Sequence, residues 1–380
     1  MGSKSSGVRL FTEGGIYTLG LFVMRAGNFL LIPLYLNILD PESYGAFGIV
    51  KQVVNVLVIL AVASQGHALL RLGVDVEHDD SAIARLVSSV FTYVSAASLV
   101  LAGAVALLWP LLSERLDDIA LWPVGVAGLA GVTGAAIFQL SLSWLQFQRR
   151  PKEHTSLTVI RWLIMAALVL VFLLGFGWKA EGILAAVSVS FSVGALLGIR
   201  RLPRGTRLRV HRATLMGTLG YGVPLLPHAL SGVIFQATDQ VLLAAHPEHG
   251  LRSAGVYLLA VQLASAVFMF AMGMQKAWTP FFLREDKQRG ESGWSRVRLL
   301  SFFSVSMVSC IAVGVGLLAP EVIALLSAFG ASDYSGAATI VSILSFGAFI
   351  RSYYLVSSAV VLANKGVRLD GTAPAGPPFH

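Results

Sequence analysis

The chain has 380 residues, of which 56% are hydrophobic and only 13% are charged, and its mean hydropathy is +0.74. A soluble domain carries about 25% charged residues, so this composition excludes an ordinary soluble enzyme or binding domain. The formal net charge is +8, and the single Cys310 excludes an internal disulfide and a cysteine metal cluster.

The apolar runs predict an all-α, polytopic membrane protein, because a helix of about 20 apolar residues crosses a ~30 Å hydrocarbon core. About ten transmembrane helices are predicted, and the first run is long enough to span, so it is not interpreted as a cleavable signal. In chain order the predicted spans are about 14–38, 44–66, 84–111, 119–147, 154–175, 180–199, 214–243, 254–276, 299–320 and 334–362.

The distribution of Lys and Arg supports this order of spans. Most of these residues fall in the tails and in the even-numbered connections, such as residues 149–152, 200–212 and 276–298. The opposite connections hold only Arg115, Lys179 and Arg252. By the positive-inside rule, both termini are predicted to be cytoplasmic.

The most basic connection is RRLPRGTRLRVHR (200–212), and it resembles a nucleic-acid patch at first sight. Between two predicted spans, however, such a segment sets topology and contacts anionic headgroups. We therefore predict no nucleic-acid partner.

An internal repeat indicates two lobes. Residues 36–57 and 242–267 share a loop with Pro and Glu, a signature of small and aromatic residues (YGAF at 44–47 and AGVY at 254–257), and an early glutamine, at an offset of 210 residues. Parallel repeats of this kind build transporters from two lobes. The predicted organisation is a six-helix lobe (1–199), a basic cytoplasmic connector (200–213), a four-helix C-terminal lobe (214–363) and a disordered tail (364–380).

The chain resembles the multidrug/oligosaccharidyl-lipid/polysaccharide exporter superfamily, in particular its polysaccharide-biosynthesis flippases of the O-antigen type. The resemblance rests on the order and spacing of several segments up to about residue 363, including IPLYLNILDPESYGAFGIV (32–50), LQFQRRPKEH (145–154) and AGVYLLAVQLA (254–264). It implies export of lipid-linked sugars, typically undecaprenyl-pyrophosphate-linked repeat units, across the bacterial inner membrane. Members of the superfamily usually have twelve to fourteen helices, so the second lobe is either genuinely short or truncated.

Four cations lie inside the predicted spans, where a charge costs roughly 2.5–3.5 kcal/mol even on lenient insertion scales. Such residues usually face a protein-lined or hydrated interior, and an excess of cations would attract an anionic headgroup. Arg25 and Arg351, central in their helices, are the leading candidates for a pyrophosphate site because Arg donates in a bidentate fashion. For Lys51 and Arg161, snorkelling to the nearer interface is the alternative.

Polar residues fall on single stripes of the first, second and seventh spans, with Tyr35 on the first stripe and Tyr44 on the second, and these stripes predict a hydrated cleft. Asn28, Gln52 and Asn55 are predicted to bind the sugars, with packing against neighbours as the alternative. Asp239 is a candidate counter-ion for Lys51 or a coupling site, or else a solvated helix end. His228 directly follows Pro227 and lies four residues after Pro224. These prolines should loosen the helix, and protonation of His228 is a candidate gating event.

The sequence predicts a multi-pass flippase of lipid-linked oligosaccharide in the bacterial inner membrane, used for surface polysaccharides such as lipopolysaccharide. Predicted partners are membrane lipids, a coupling proton or sodium ion, a polysaccharide polymerase and glycosyltransferases; no cofactor or metal is predicted. One alternative is a cation-coupled multidrug exporter, but cationic substrates would require carboxylates in the cavity, and the spans offer one clear carboxylate, Asp239. The other alternative is a membrane glycan polymerase or glycosyltransferase. We find no Walker A, G-x-S-x-G or H-E-x-x-H motif, and hence predict no enzyme.

Overall fold

The computed structural model describes the chain from residue 24 to residue 350, except residues 25, 115, 117, 118, 247, 249, 288–290, 329–333 and 348; for residues 272–298 and 300 it describes the backbone alone. The helices are α1 (Ala26–Ile38), α2 (Pro41–Val62), α3 (Gln65–Asp75), α4 (Asp80–Ser113), α5 (Val126–Leu129), α6 (Gly131–Phe147), α7 (Pro151–Leu170), α8 (Ala180–Ile199), α9 (Arg212–Gly222), α10 (Leu226–Ala245), α11 (Gly250–Lys287), α12 (Glu291–Leu317), α13 (Ala319–Ala328) and α14 (Ala337–Gly347). Short π-helical turns, Leu121–Gly125 and Val171–Gly175, precede α5 and follow α7.

The predicted all-α membrane fold is confirmed. Among the described residues, seven helices are long and apolar enough to cross a membrane, and the bent pair Ser301–Leu317 and Ala319–Ala328 gives an eighth. The shorter apolar helices α1 and α14 lie within the first and tenth predicted spans. Each predicted span thus has a helical counterpart, and the count of ten is approximate.

The chain divides into two compact units, residues 1–255 and 256–380. In the second unit, Val267 and Ala271 of α11 are buried with Val308 and Ala312 of α12. The Ser342 hydroxyl of α14 donates to the Gly316 carbonyl of α12 at 2.8 Å. The predicted lobe boundaries remain a prediction.

Small residues bring α6 and α8 into backbone contact within the first unit. A Cβ on Gly134 would lie 2.8 Å from the Ser192 amide nitrogen, and one on Gly131 would lie 2.9 Å from the Ser188 Cα. The Ser188 hydroxyl donates to the Ala127 carbonyl at 2.6 Å. Such small-residue faces are how membrane helices pack closely without a hydrophobic driving force between them.

Asp40 fixes the start of α2 and ties it to the loop before α8. Its carboxylate accepts the Ser43 amide hydrogen at 2.8 Å, and the Lys179 ammonium donates to it at 2.7 Å. Partial burial alone would raise the pKa of Asp40, but the hydrogen bonds from Lys179 and Ser43 lower it to about 2. The Asp40 carboxylate therefore both caps α2 and forms an ion pair with Lys179.

We expect Asp40→Ala to destabilise the protein by about 1–2 kcal/mol, because it removes the cap and the pair. Asp40→Asn should cost less than about 1 kcal/mol, since Asn still caps and an exposed pair contributes little. Because the pKa of Asp40 is lower in the folded protein, its carboxylate stabilises the fold fully above pH 3.8, the ordinary pKa. This contribution to stability is lost as the pH falls through about 2. Thermal melts of both variants between these pH values measure the two losses of stability. An equal loss in Asp40→Ala and Asp40→Asn would contradict the capping role.

Candidate functional site

A chain of amide side chains links α2 to α10. Asn55 Nδ2 donates to Gln52 Oε1 at 3.2 Å, and Gln52 Nε2 lies 3.5 Å from Gln240 Oε1. Gln240 is buried, whereas Asn55 is exposed on the surface of the protein. The structure therefore brings together two residues predicted to bind sugars, and it adds a third on the seventh predicted span.

Lys51 lies directly before this amide chain on α2. Its side chain is exposed, and its ammonium lies 5.7 Å from the centroid of the Phe47 ring. Lys51 forms no ion pair with any residue that the structure describes. The interpretation of Asp239 as its counter-ion is thus not seen in the described contacts, although Asp239 makes interactions of its own.

The seventh predicted span is interrupted where its prolines lie. A single 3-10 turn, Val223–Leu225, contains Pro224 and separates α9 from α10, while Pro227 lies in the first turn of α10. His228 follows and is exposed, as is Asp239. The predicted break in the helix is present, and the coupling or gating role of these residues stays a prediction.

Asn28 is held by a partner that the sequence did not reveal. The Trp162 indole N–H of α7 donates to its side-chain oxygen at 2.9 Å. A Cβ on the preceding residue, Gly27, would overlap the same indole ring. This hydrogen bond fixes Asn28 against α7, so packing accounts for at least one of its polar atoms.

Arg161 lies among aromatic rings inside the first unit. Its guanidinium carbon is 4.3 Å from the centroid of Phe191 and 5.7 Å from that of Phe138, a cation–π arrangement. Its Nη1 lies 3.4 Å from the Ser190 hydroxyl, and its buried Nε has no hydrogen-bond partner. No carboxylate among the described residues pairs with it.

Two tyrosines of the predicted polar stripes are buried instead of lining a cleft. Tyr35 and Tyr44 pack with Phe47, with ring centroids 5.9–6.5 Å apart. Tyr35 belongs to α1 and Tyr44 to α2, and both rings are covered by their aromatic neighbours. The two leading cations, Arg25 and Arg351, lie outside the described residues.

The repeat predicted from the sequence has a physical counterpart where α2 crosses the start of α11. A Cβ on Gly45 would overlap the Leu251 carbonyl, and one on Gly255 would overlap the Pro41 carbonyl. Positions 41 and 251 are separated by the same 210 residues as positions 45 and 255. Equivalent positions of the two copies therefore make the same contact, within the first unit.

Sequence reasoning missed Gln240 and Trp162 as partners of the candidate residues. Gln240 follows Asp239 directly. The pattern that could have revealed it is its spacing from Ala237 and Ala244, which are the other buried residues of α10. A polar residue between two small ones at helical spacing marks a helix-facing side. Within the described residues, no group of three or more His, Cys, Asp or Glu side chains could hold a metal ion.

Comparison with known proteins gives a family and a fold. The family model described as "Polysaccharide biosynthesis protein" matches residues 11–285. The inward-facing conformation of a multidrug resistance MATE family transporter of the MOP superfamily matches with a TM-score of 0.60 and 15% identity, covering 90% of this chain and 86% of that one. The Vibrio cholerae MATE transporter VcmN in its bent form matches with a TM-score of 0.56 and 14% identity, over 96% and 88%. Curated protein sequences gave no match.

Proposed function

The chain belongs to the polysaccharide biosynthesis protein family, and from that membership we propose that it is a flippase for lipid-linked oligosaccharide. Polyprenyl-pyrophosphate-linked sugar units would cross the bacterial inner membrane by alternating access, for surface polysaccharide assembly. The multi-pass helical fold is the kind of structure that such transport requires.

The observation that carries the proposal is Lys51 beside the amide chain of Gln52, Asn55 and Gln240. An ammonium without a carboxylate partner attracts a phosphate group, and the attraction strengthens in a poorly hydrated cleft. The neighbouring amides both donate and accept hydrogen bonds, as sugar hydroxyls require. A cation and amides on one helix face thus suit a head group that combines phosphate with sugar.

Charge balance supports this substrate over a cationic drug, although the similar solved structures are multidrug transporters. Cationic substrates favour carboxylates, and Asp239, near the external end of the seventh predicted span, is the one clear carboxylate that the sequence places within the spans. Lys51, Arg161, Arg25 and Arg351 oppose it with four positive charges. A multidrug exporter remains the alternative to be tested.

The remaining roles follow from this assignment. Arg25 and Arg351 would bind the pyrophosphate with Lys51, and Arg161 and Asn28 would complete the polar lining. His228, beside the break at Pro224 and Pro227, and Asp239, about three turns further along α10, would take the coupling proton or sodium ion. Both termini would be cytoplasmic. Glycosyltransferases would supply the lipid-linked unit on that side, and a polymerase would receive it on the opposite side after export.

Reconstitution tests the proposal directly. Purified protein in vesicles should make a polyprenyl-pyrophosphate oligosaccharide accessible to a membrane-impermeant lectin, and Arg25→Ala or Arg351→Ala should slow this by roughly tenfold or more, the value of a lost charge-assisted hydrogen bond. Arg→Lys should restore only part of the rate, since a point charge loses the bidentate contact.

Arg71→Ala is the matched control, because Arg71 only pairs with Asp75 on the surface at 3.0 Å. It should leave the rate unchanged. Full transport in both Arg25→Ala and Arg351→Ala would refute the cationic site, and transport of a cationic dye in place of the oligosaccharide would favour the multidrug alternative.

A further inference from the structure

The basic connector between α8 and α9, residues 200–212, is fixed to the helices beneath it. The Trp144 indole donates to the Arg201 carbonyl at 3.0 Å. The amides of Arg207 and His211 each donate at 3.0 Å, to the hydroxyls of Ser88 and Ser89 respectively. Both serines are buried in α4. The segment is therefore held in one shape although it has no regular secondary structure.

Between the two serine contacts the connector projects apolar side chains outward. Leu208 is 86% exposed and Val210 is 44% exposed. The Arg209 amide donates to the Arg207 carbonyl at 2.7 Å, which closes a tight turn at Leu208. Exposed apolar residues at the ends of two membrane spans suit the boundary between headgroups and acyl chains.

The same segment carries a dense positive charge, and within the described part of the chain only its Arg201 is paired with a carboxylate. Five arginines are exposed, and within the described residues none of their side chains forms an ion pair or a hydrogen bond. They are Arg200, Arg204, Arg207, Arg209 and Arg212. The nearest acids in sequence are Glu181 and Asp239, and Glu153 is engaged with Arg150 and Arg201 at 3.1 and 3.4 Å.

We propose that the connector is a membrane-surface site for anionic phospholipid headgroups, with Leu208 inserted below the phosphates and the arginines bound to them. Clustered arginines beside a span, interleaved with apolar residues, have the charge and the amphipathic character that an anionic leaflet recruits. The proposal rests on the orientation proposed above, in which this connector faces the cytoplasm. It goes beyond transport, because it concerns the bulk lipid around the protein.

The test uses a fluorescent reporter at the tip of the connector. In a Cys310→Ser background, Leu208→Cys is labelled with an environment-sensitive dye, and the protein is placed in nanodiscs of phosphatidylcholine with increasing phosphatidylglycerol. The dye signal should rise with phosphatidylglycerol and fall again at high salt. Replacing Arg204, Arg207, Arg209 and Arg212 by Gln should reduce the dye response at a fixed phosphatidylglycerol fraction by about tenfold.

Val74→Cys provides the matched control. Val74 is also apolar and exposed, at 59%, and lies in a connection predicted on the same side, but its neighbours are Asp75, Glu77 and Asp79. Its dye should not respond to phosphatidylglycerol. Melting temperatures should match between the Arg and Gln proteins, since the four side chains are exposed and form no hydrogen bond or ion pair with a described residue.

Three results would overturn the proposal: equal dye signals in both lipids, an unchanged response after the Arg→Gln substitutions, or a response to the polyprenyl-pyrophosphate oligosaccharide but not to phosphatidylglycerol. The last would make the connector a capture site for the transported lipid. Nanodiscs expose both faces and need no transport, so failure of the flippase assay leaves this outcome unaffected.

Discussion

Gly45→Ala is expected to destabilise the protein by about 1–3 kcal/mol, although it adds a single methyl group. That methyl would lie 3.0 Å from the Leu251 carbonyl carbon and 3.1 Å from the Gly255 amide nitrogen. Both are backbone atoms, which a rotamer change cannot move. The helices must separate, and we expect transport to fall with the melting temperature.

Gly255→Ala should reproduce this loss, because its Cβ would meet Pro41 in the reciprocal contact. Combining both substitutions should cost less than the sum of the two, since one separation of the helices relieves both clashes. Gly103→Ala is the control with the opposite sign. Gly103 lies within α4 with nothing within 4 Å of an added Cβ, so the change should stabilise the helix by up to about 1 kcal/mol.

Thermal unfolding of the four proteins in one detergent measures these differences. Wild-type stability in Gly45→Ala and in Gly255→Ala would show that the α2–α11 crossing is not tightly packed. Strict additivity of the two changes would argue against a contact shared by Gly45 and Gly255.

The fold could be predicted from the sequence because membrane-spanning apolar runs and the uneven distribution of Lys and Arg are both local signals. Each predicted span contains a helix, and the predicted superfamily resemblance agrees with the family match over residues 11–285. The repeat was also visible in the sequence, although the close crossing of Gly45 and Gly255 at its two copies was not predicted. These features depend on composition along the chain, not on which helices become neighbours.

The partners of the candidate site residues could not be predicted for the same reason. Periodicity placed Gln52, Asn55 and Tyr44 on one face of α2, but only packing decides that Gln240 meets Gln52 while Phe47 covers Tyr44. The connector gives a second example. Its charge was evident, whereas its attachment through Ser88 and Ser89 involves residues more than a hundred positions away.

Lys51→Met is expected to reduce transport of lipid-linked oligosaccharide by about tenfold to a hundredfold, without lowering the melting temperature. The lost interaction is a charge-assisted hydrogen bond to phosphate, which contributes about 1.5–3 kcal/mol. Stability should be retained because Lys51 is exposed and pairs with no described carboxylate. Lys51→Arg should keep most of the activity, and transport rates in vesicles with melts of the same preparations provide the measurement.

Arg161→Met is the matched comparison, because it also replaces one cation in a predicted span by an unbranched apolar side chain. The guanidinium lies against the rings of Phe191 and Phe138, and its Nε is buried without a partner. Replacing a poorly compensated buried charge by an apolar side chain is often neutral or stabilising. We therefore expect a raised melting temperature and a smaller loss of transport than in Lys51→Met. If Lys51→Met transports normally while Arg161→Met does not, the phosphate site lies among the aromatic rings of the first unit instead of on the amide-bearing face of α2.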